Sequence, residues 1–280
     1  MIDQLFQPAS LFAIALIALL AGTLGGMLGV GGSLIIIPGL YFILGPQQQL
    51  FQASAMIINV FIAIPAAYKH YKKHGMTPQH IKWMLPASIS FVLIGVYTSN
   101  LFKGPEGNII LGRILAIFLA YVLIINIKRL FTPPKKLIHP EDEQTPNKPL
   151  NYRLRAIIVG IFNGFSAGLL GIGGGAITVP SQQVLLKLPL KNCIANSSAL
   201  IIFSSAVGAT YKNLSLNTLN DAYTIRQSLT IAAVCIPVAF LSSRMGAQLT
   251  HTLPTKYIRI FFIILLLVAG YKLADFPLPF

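Results

Sequence analysis

Two glycine-rich stretches, residues 22–38 (GTLGGMLGVGGSLIIIP) and residues 164–180 (GFSAGLLGIGGGAITVP), interrupt apolar sequence 142 residues apart. Eight of the seventeen aligned positions are identical, and six of those eight are Gly or Pro. Membrane helices tolerate non-helical backbone only where protein or a water-filled cavity surrounds it. Paired interrupted helices in the two halves of a membrane protein also point to a transporter's substrate site. The pair therefore predicts two glycine-broken helices in a duplicated membrane protein.

The composition around these stretches is that of a membrane protein. Apolar residues make up 55% of the chain and charged residues only 10%, where a soluble domain carries about 25% charged residues. The mean hydropathy is +0.72. Eight apolar runs reach or approach the ~20 residues that cross a bilayer: 8–28, 51–67, 81–101, 108–127, 156–170, 194–211, 223–241 and 257–274. We expect an all-α integral membrane protein, a polytopic helical bundle of eight to ten segments.

The charge pattern excludes several classes of protein. The net charge of +14 comes from Lys and Arg between the apolar runs, as the positive-inside rule predicts, so the partner is the lipid bilayer and not nucleic acid. The first four residues contain no base, which argues against a cleaved signal peptide. Cys193 and Cys235 are isolated, and His70, His74 and His80 lack a carboxylate or Cys to complete a metal site. We therefore predict no cofactor, no metal and no enzymatic activity.

A polar, proline-rich segment divides the chain. Residues 132–150 (TPPKKLIHPEDEQTPNKPL) have the composition of a flexible linker. They separate a first membrane repeat, residues 1–131, from a second, residues 151–280. With a one-residue slip the repeat extends beyond the glycine motifs, so that five residues of the first half align with five of the second: Ser54, Ala63, Ala66, Tyr68 and Lys69 with Ser197, Ala206, Ala209, Tyr211 and Lys212.

Basic residues also indicate how the halves face. The loop 68–82 and the linker region are both Lys-rich and lie two spans apart, so both can be cytoplasmic. If residues 8–45 return to their starting side, the second half is inverted and five of its bases are cytoplasmic: Lys187, Lys191, Arg244, Lys256 and Arg259. That leaves mainly Lys212 and Arg226 outside, so the charge pattern favours two inverted repeats of five segments each. Residues 33–44 would form about 18 Å of helix, too short to span, although whether 33–45 span stays open.

The glycine cores have the chemistry of an anion site. A helix N-terminus offers free N–H groups and partial positive charge, and helices restarting after Gly31–Gly32 and after residues 173–175 would aim two such ends at the membrane interior. The alternative is that the glycines only permit close packing, which we favour for Gly22, Gly26, Gly164 and Gly168. Ser54, Asn196 and Ser197 supply further hydroxyl and amide groups, or ordinary caps.

The acidic residues support an anionic substrate. All seven lie in loops or at segment ends, so a cationic substrate would lack a counter-charge inside the membrane. Tyr68–Lys69 and Tyr211–Lys212 are expected at helix ends, where they attract anions to the mouth or anchor the helices at the interface. We expect Leu at both Gly32 and Gly174 to abolish anion flux and leave the protein folded.

Through its duplicated halves, the Gly-x-Gly-Gly-x5-Pro-type motif in each and the basic loop, the chain resembles the TauE/SafE sulfite-exporter family. The resemblance covers almost the whole chain. It implies a multi-pass transporter of sulfite, or of a related sulfur oxyanion or organosulfonate, in a bacterial or archaeal cytoplasmic membrane. The implied substrate-binding residues are Gly31, Gly32, Ser33, Gly173, Gly174 and Gly175, supported by Ser54, Asn196 and Ser197.

The sequence therefore favours a secondary transporter or facilitator that exports a small anion. The two broken helices would form a site near the midplane and give alternating access. The alternatives are a transporter of a non-sulfur anion and a non-transporting membrane scaffold or biogenesis factor. The coupling ion is open, and so is the choice between a monomer and a homodimer.

Overall fold

The computed structural model of the chain describes residues 7–73, 75–131, 151–220, 223–249, 260, 262–267 and 270. Across these ranges the chain is helical. The elements are α1 (Pro8–Leu28), α2 (Ser33–Leu44), α3 (Gln48–Lys72), α4 (Pro78–Asn100), α5 (Gly104–Phe131), α6 (Tyr152–Leu170), α7 (Gly175–Ser181), a π-helical turn (Gln182–Leu186), α8 (Leu190–Leu219) and α9 (Ile225–Leu249).

Seven of these helices are long and apolar enough to cross a bilayer: α1, α3, α4, α5, α6, α8 and α9. They coincide with seven of the eight predicted apolar runs, which confirms the polytopic helical membrane fold. The eighth run, residues 257–274, lies largely outside the described residues. The predicted linker, residues 132–150, lies wholly outside them, as does His74.

The chain leaves the helical path at both glycine motifs. α1 and α6 end with Gly29 and Gly171 in the left-handed conformation, at φ of 62° and 71°, and each donates its N–H to the carbonyl four residues back. Glycine adopts this helix-ending conformation without a Cβ penalty. The helices restart at Ser33 and Gly175. Helix α2 has 12 residues, about 18 Å, and is too short to span.

Helix pairing between the two halves is reciprocal. α1 packs on α9, and α6 packs on α4, while α3 and α8 pack on each other at the centre. The α3–α8 pair is antiparallel, because Lys212 contacts Gln49 whereas Gly208 faces Met56. Small residues allow the close approach of the outer pairs. A Cβ at Gly22 or Gly26 would overlap α9, and a Cβ at Gly164 or Gly168 would overlap α4, which confirms a packing role for these four glycines.

Burial corrects the alignment of the two halves beyond the glycine motifs. From Phe51 to His70, the pattern of buried and exposed positions matches that from Cys193 to Lys212 at all but one position, at a constant spacing of 142. The one-residue slip is therefore wrong. It arose from matching the Tyr-Lys pairs by identity, whereas helix packing conserves which positions face inward. The counterpart of Lys212 is His70, and the counterpart of Ser54 is Asn196.

Candidate anion site at the two glycine breaks

The two helix breaks lie against each other at the centre of the protein. A Cβ placed on Gly175 would overlap the carbonyl oxygen of Gly29, and a Cβ on Gly31 would lie 3.3 Å from the carbonyl oxygen of Ile172. Backbone from one break therefore contacts backbone from the other. Glycine is required at this junction because any side chain would push the two segments apart.

At the first break, a side chain from the next helix satisfies the new helix start. Asn59 lies midway along α3, and its Oδ1 accepts the N–H groups of Gly32 at 2.8 Å and Ser33 at 3.2 Å. Its Nδ2 donates to the hydroxyl of Ser33. All three residues are buried. Asn59 thus acts as a cap supplied from 27 residues away. Two of the N–H donors predicted for a ligand here, those of Gly32 and Ser33, therefore already have an acceptor.

The second break has the same backbone path and a different polar partner. Asn163 lies on α6, the helix before the break, and its Oδ1 accepts the hydroxyl of Thr178 at 2.5 Å while its Nδ2 donates to Ser88 at 2.6 Å. The hydrogen bonds formed among the described residues provide no acceptor for the N–H groups of Gly174 and Gly175. Buried N–H groups are paired in nearly all proteins, so these two donors are available to a bound group.

Of the three supporting residues predicted from sequence, one lies at the breaks and two lie away from them. Ser197 donates its hydroxyl to the carbonyl oxygen of Gly29 at 2.6 Å. Ser54 donates to Leu50 within its own helix and lies 3.4 Å from the hydroxyl of Ser228. Asn196 binds Thr77 and the side chain of Gln182. Ser197 therefore orients the first break, whereas Ser54 and Asn196 connect helices elsewhere.

The junction is polar without being charged. In the described part of the chain the one carboxylate is Glu106, which is exposed, and no group of three or more His, Cys, Asp or Glu side chains is close enough to hold a metal ion. The groups at the junction are backbone N–H donors, carbonyl oxygens, two amides and hydroxyls. This set can replace the hydration shell of a small anion by hydrogen bonds.

Two amides, those of Asn59 and Asn163, hold the polar groups of the junction, and neither is among the substrate-binding residues predicted from the sequence. Asn59 was visible as a polar residue in an apolar run, but its partner depends on how α3 packs against the break. Asn163 lies within the run 156–170 and is fully buried. An uncharged amide at the centre of a spanning segment is costly unless it is paired, and that cost is the signal that could have found both.

The structure also revises the expectation for Leu at Gly32 and Gly174. Gly174 has a φ of 77°, and a Cβ there would overlap both the side chain and the backbone oxygen of Asn163. A Cβ at Gly32 would meet mainly the tip of the Ile62 side chain, which can move. Substitution of Gly174 therefore threatens folding itself, so the double variant is a poor test of binding.

The fold and the junction together define a polytopic helical membrane protein built around two apposed helix breaks. Family comparison gives the class a name: residues 14–273 match the model of the family Sulfite exporter TauE/SafE. The chain belongs to this family, and its relatives are named as membrane transporters.

Several similar proteins carry the name "Probable membrane transporter protein". YunE of Bacillus subtilis is 27% identical, over 94% of this chain and 97% of its own. A Haemophilus influenzae protein is 26% identical, over 91% and 94%. MamO of Paramagnetospirillum magneticum is 25% identical over 91% of this chain, which spans only 43% of MamO. No solved structure matches the chain.

Proposed function

We propose that the protein is a secondary transporter or facilitator of a small anion, with sulfite or a related sulfur oxyanion or organosulfonate as substrate and export across the cytoplasmic membrane as its direction. The family to which the chain belongs supports the substrate class. The uncharged, donor-rich junction supports an anion over a cation, because a cation would need carboxylates inside the membrane.

The observation that carries this proposal is a pair of backbone N–H groups without an acceptor at the second break, beside the paired N–H groups of the first break. Gly174 and Gly175 offer N–H groups that have no acceptor among the described residues. Gly175 lies against Gly29 and Val30 of the first break, and Gly174 lies against Asn163. An oxyanion accepting these two hydrogen bonds would lie between the halves. The Asn59 amide lies close to this position, since a Cβ on Gly173 would be 2.8 Å from its Nδ2.

The two halves would act as inverted repeats. When two antiparallel helices in contact are related by a two-fold axis, that axis is perpendicular to both helices. An axis in the membrane plane is therefore supported by the antiparallel α3–α8 pair and by the reciprocal α1–α9 and α6–α4 pairs. In transporters with inverted repeats, rocking of one part against the other exposes a midplane site to each side in turn. The Lys-rich loop and the linker region would face the cytoplasm.

Sulfite flux into proteoliposomes tests the proposal. The central variant is Asn59→Asp, which keeps the size of the side chain and both acceptor bonds to Gly32 and Ser33 but places a negative charge at the junction. We expect saturable sulfite flux in the wild type and at least a tenfold loss in the variant, because a like charge repels an anion in a low-dielectric site. Sulfite flux measured under two opposite pH gradients would distinguish proton-coupled transport from facilitated diffusion.

A matched control keeps this result specific. Asn126 on α5 is half-buried and binds only the carbonyl of its own helix, so Asn126→Asp makes the same chemical change away from the breaks and should retain flux. Equal flux in Asn59→Asp and the wild type would refute the site. Absence of flux for sulfite, sulfate, thiosulfate and sulfoacetate in the wild type would refute the proposed transport and favour the scaffold role.

A further inference from the structure

A lysine is fully buried between helices near one end of the bundle. Lys212 lies seven residues before the end of α8 and has none of its surface exposed. Its expected place at the end of its own helix is wrong, because α8 continues to Leu219. Its partners do lie at helix ends, since Gln49 is the second residue of α3 and Asn100 is the last residue of α4. An ionisable residue inside a membrane protein is costly and marks a functional site by default.

Among the described residues, the side chains that bind the Nζ of Lys212 are all neutral. Its Nζ donates to Gln49 Oε1, to Ser99 Oγ at 2.8 Å and to Asn100 Oδ1 at 2.9 Å. These three acceptors match the three N–H donors of an ammonium, but none supplies a negative charge. Glu106, the single carboxylate in the described ranges, is exposed and forms no ion pair there. The hydrogen bonds offset only part of the cost of removing the charge from water.

The wider cluster around Lys212 is polar and neutral as well. Gln49 also donates its amide to the carbonyl oxygens of Ser99 and Phe102, and its backbone N–H donates to Asn108. Asn108 in turn donates to the hydroxyl of Tyr223 at 3.0 Å. Burial raises the pKa of Tyr223, so this hydroxyl stays neutral and adds no counter-charge. Among the described residues of this cluster, no group supplies a negative charge that would balance an ammonium at Lys212.

The α3 residue that binds Lys212 shows how far its cluster lies from the junction. Its partner Gln49 lies ten residues before Asn59, about 15 Å of helix. His70, the counterpart of Lys212 in the 142-residue register, is buried eleven residues beyond Asn59. A buried basic side chain thus lies near each end of the central helix pair, with the glycine junction halfway between. Asn100 and Ser215, which bind each other at 2.8 Å, are only half-buried and form the outer side of the Lys212 cluster.

We propose that Lys212 is the charged centre of a second anion-binding subsite, between the junction and the membrane face at the Gln49 end of α3. Its ligand is a small oxyanion of the kind the junction would bind, so the inference rests on the proposed function. The anion takes the place of the Asn100 amide oxygen on Nζ and supplies the missing negative charge, while Ser99 and Gln49 keep their contacts with the ammonium. In the orientation with the linker in the cytoplasm, this subsite faces outward.

Binding and flux measured on the same variants test the subsite. Lys212→Gln removes the charge and retains donors for Ser99 and Asn100, whereas Lys212→Arg retains the charge. Lys72→Gln is the matched control, since Lys72 is exposed near the end of α3. Purified full-length protein in detergent is titrated with sulfite, and separately with sulfate, while thermal unfolding is followed. The same variants are assayed for sulfite flux in proteoliposomes.

We expect sulfite to raise Tm saturably in the wild type and in Lys72→Gln. Lys212→Gln should require at least tenfold more sulfite for half the effect, and Lys212→Arg no more than about threefold, since binding follows the charge. A purely structural lysine would instead lower Tm in Lys212→Gln equally at every sulfite concentration, and that result would overturn the subsite. So would a wild type whose Tm does not respond to either anion.

The two proposals fail in different ways. Normal sulfite flux in Lys212→Gln, with half-saturation unchanged, would overturn the subsite and leave the proposed transport intact. Sulfite binding that depends on Lys212 in a wild type without flux for any oxyanion would refute transport and retain the subsite.

Discussion

The two glycine breaks have the same backbone path and different polar partners. Each begins with a left-handed glycine, and each is followed by a restarted helix four residues on. The first gives its N–H donors to Asn59 from the following helix, whereas the second places Asn163 of the preceding helix beside a threonine hydroxyl. The two breaks thus share a backbone path, but a side chain accepts the N–H groups of Gly32 and Ser33, whereas no described residue accepts those of Gly174 and Gly175. This difference is why we propose the second break as the half that binds the ligand.

The largest expected effect comes from exchanging the residue at which the two motifs differ. Gly175→Ser places a side chain on Gly29 and Val30, whose backbone atoms it would overlap. Overpacking typically costs about 1–3 kcal/mol, and we expect the upper end of that range here because backbone atoms must move. The reverse change, Ser33→Gly, removes the hydroxyl that Asn59 binds and should cost about 1 kcal/mol. Thermal unfolding in detergent would rank the two, with Gly175→Ser showing much the lower Tm.

These two variants distinguish a difference in packing between the two breaks from a difference in their hydrogen bonds. If both variants lower Tm equally, the breaks are equally open to a side chain, and the contact between Gly175 and the first break is looser than described. A control at Gly45 fits the comparison, because no atom lies within 4 Å of a Cβ there. A serine at position 45 must adopt the positive φ of Gly45. The decrease in Tm of Gly45→Ser therefore measures backbone strain without steric overlap.

A second, intermediate effect follows from removing each amide. Asn59→Ala leaves the buried N–H groups of Gly32 and Ser33 without their acceptor, and we expect a loss of about 2 kcal/mol. Asn163→Ala should cost about half as much, because Thr178 also donates its hydroxyl to the carbonyl oxygen of Gly174 at 2.9 Å and stays paired. Tm measured without added anion would test this order.

The same pair of alanine variants sharpens the assignment of the ligand. An anion that binds the second break should still stabilise Asn59→Ala, since Gly174 and Gly175 are unchanged. If sulfite instead stabilised Asn163→Ala and not Asn59→Ala, the first break would be the binding half. The comparison of the two breaks would then be reversed.

Local sequence was sufficient to predict some elements and not others. Helix α2 covers residues 33–44, as predicted from the glycine core before it. Its ends are determined locally, by the glycines and by the pattern of apolar and polar residues. The cap by Asn59 joins residues 27 positions apart, and the contact of Lys212 with Gln49 joins residues 163 apart. Such contacts depend on how three or four helices pack, which periodicity in one chain does not specify.

The alignment of the halves shows a second limit. Identity favoured pairing Tyr68–Lys69 with Tyr211–Lys212, yet burial pairs His70 with Lys212. Side-chain identity on the outer positions of a membrane helix is weakly constrained, because lipid accepts many apolar and aromatic residues there. Inward positions are constrained by packing. The buried bases became visible only when the inward pattern determined the register.

The smallest expected effect compares two serines that sequence reasoning treated alike. Ser197 donates to the carbonyl oxygen of Gly29 across 168 residues, so Ser197→Ala leaves a buried acceptor at the first break and should cost about 1 kcal/mol. Ser54 donates to Leu50, whose carbonyl already accepts within α3, and Ser54→Ala should change stability by less than about 0.5 kcal/mol. Because Ser197 orients the break, its variant should also weaken sulfite flux, whereas Ser54→Ala should not. An equal loss of flux in both variants would mean that the site extends along α3 toward Ser228, well away from the breaks.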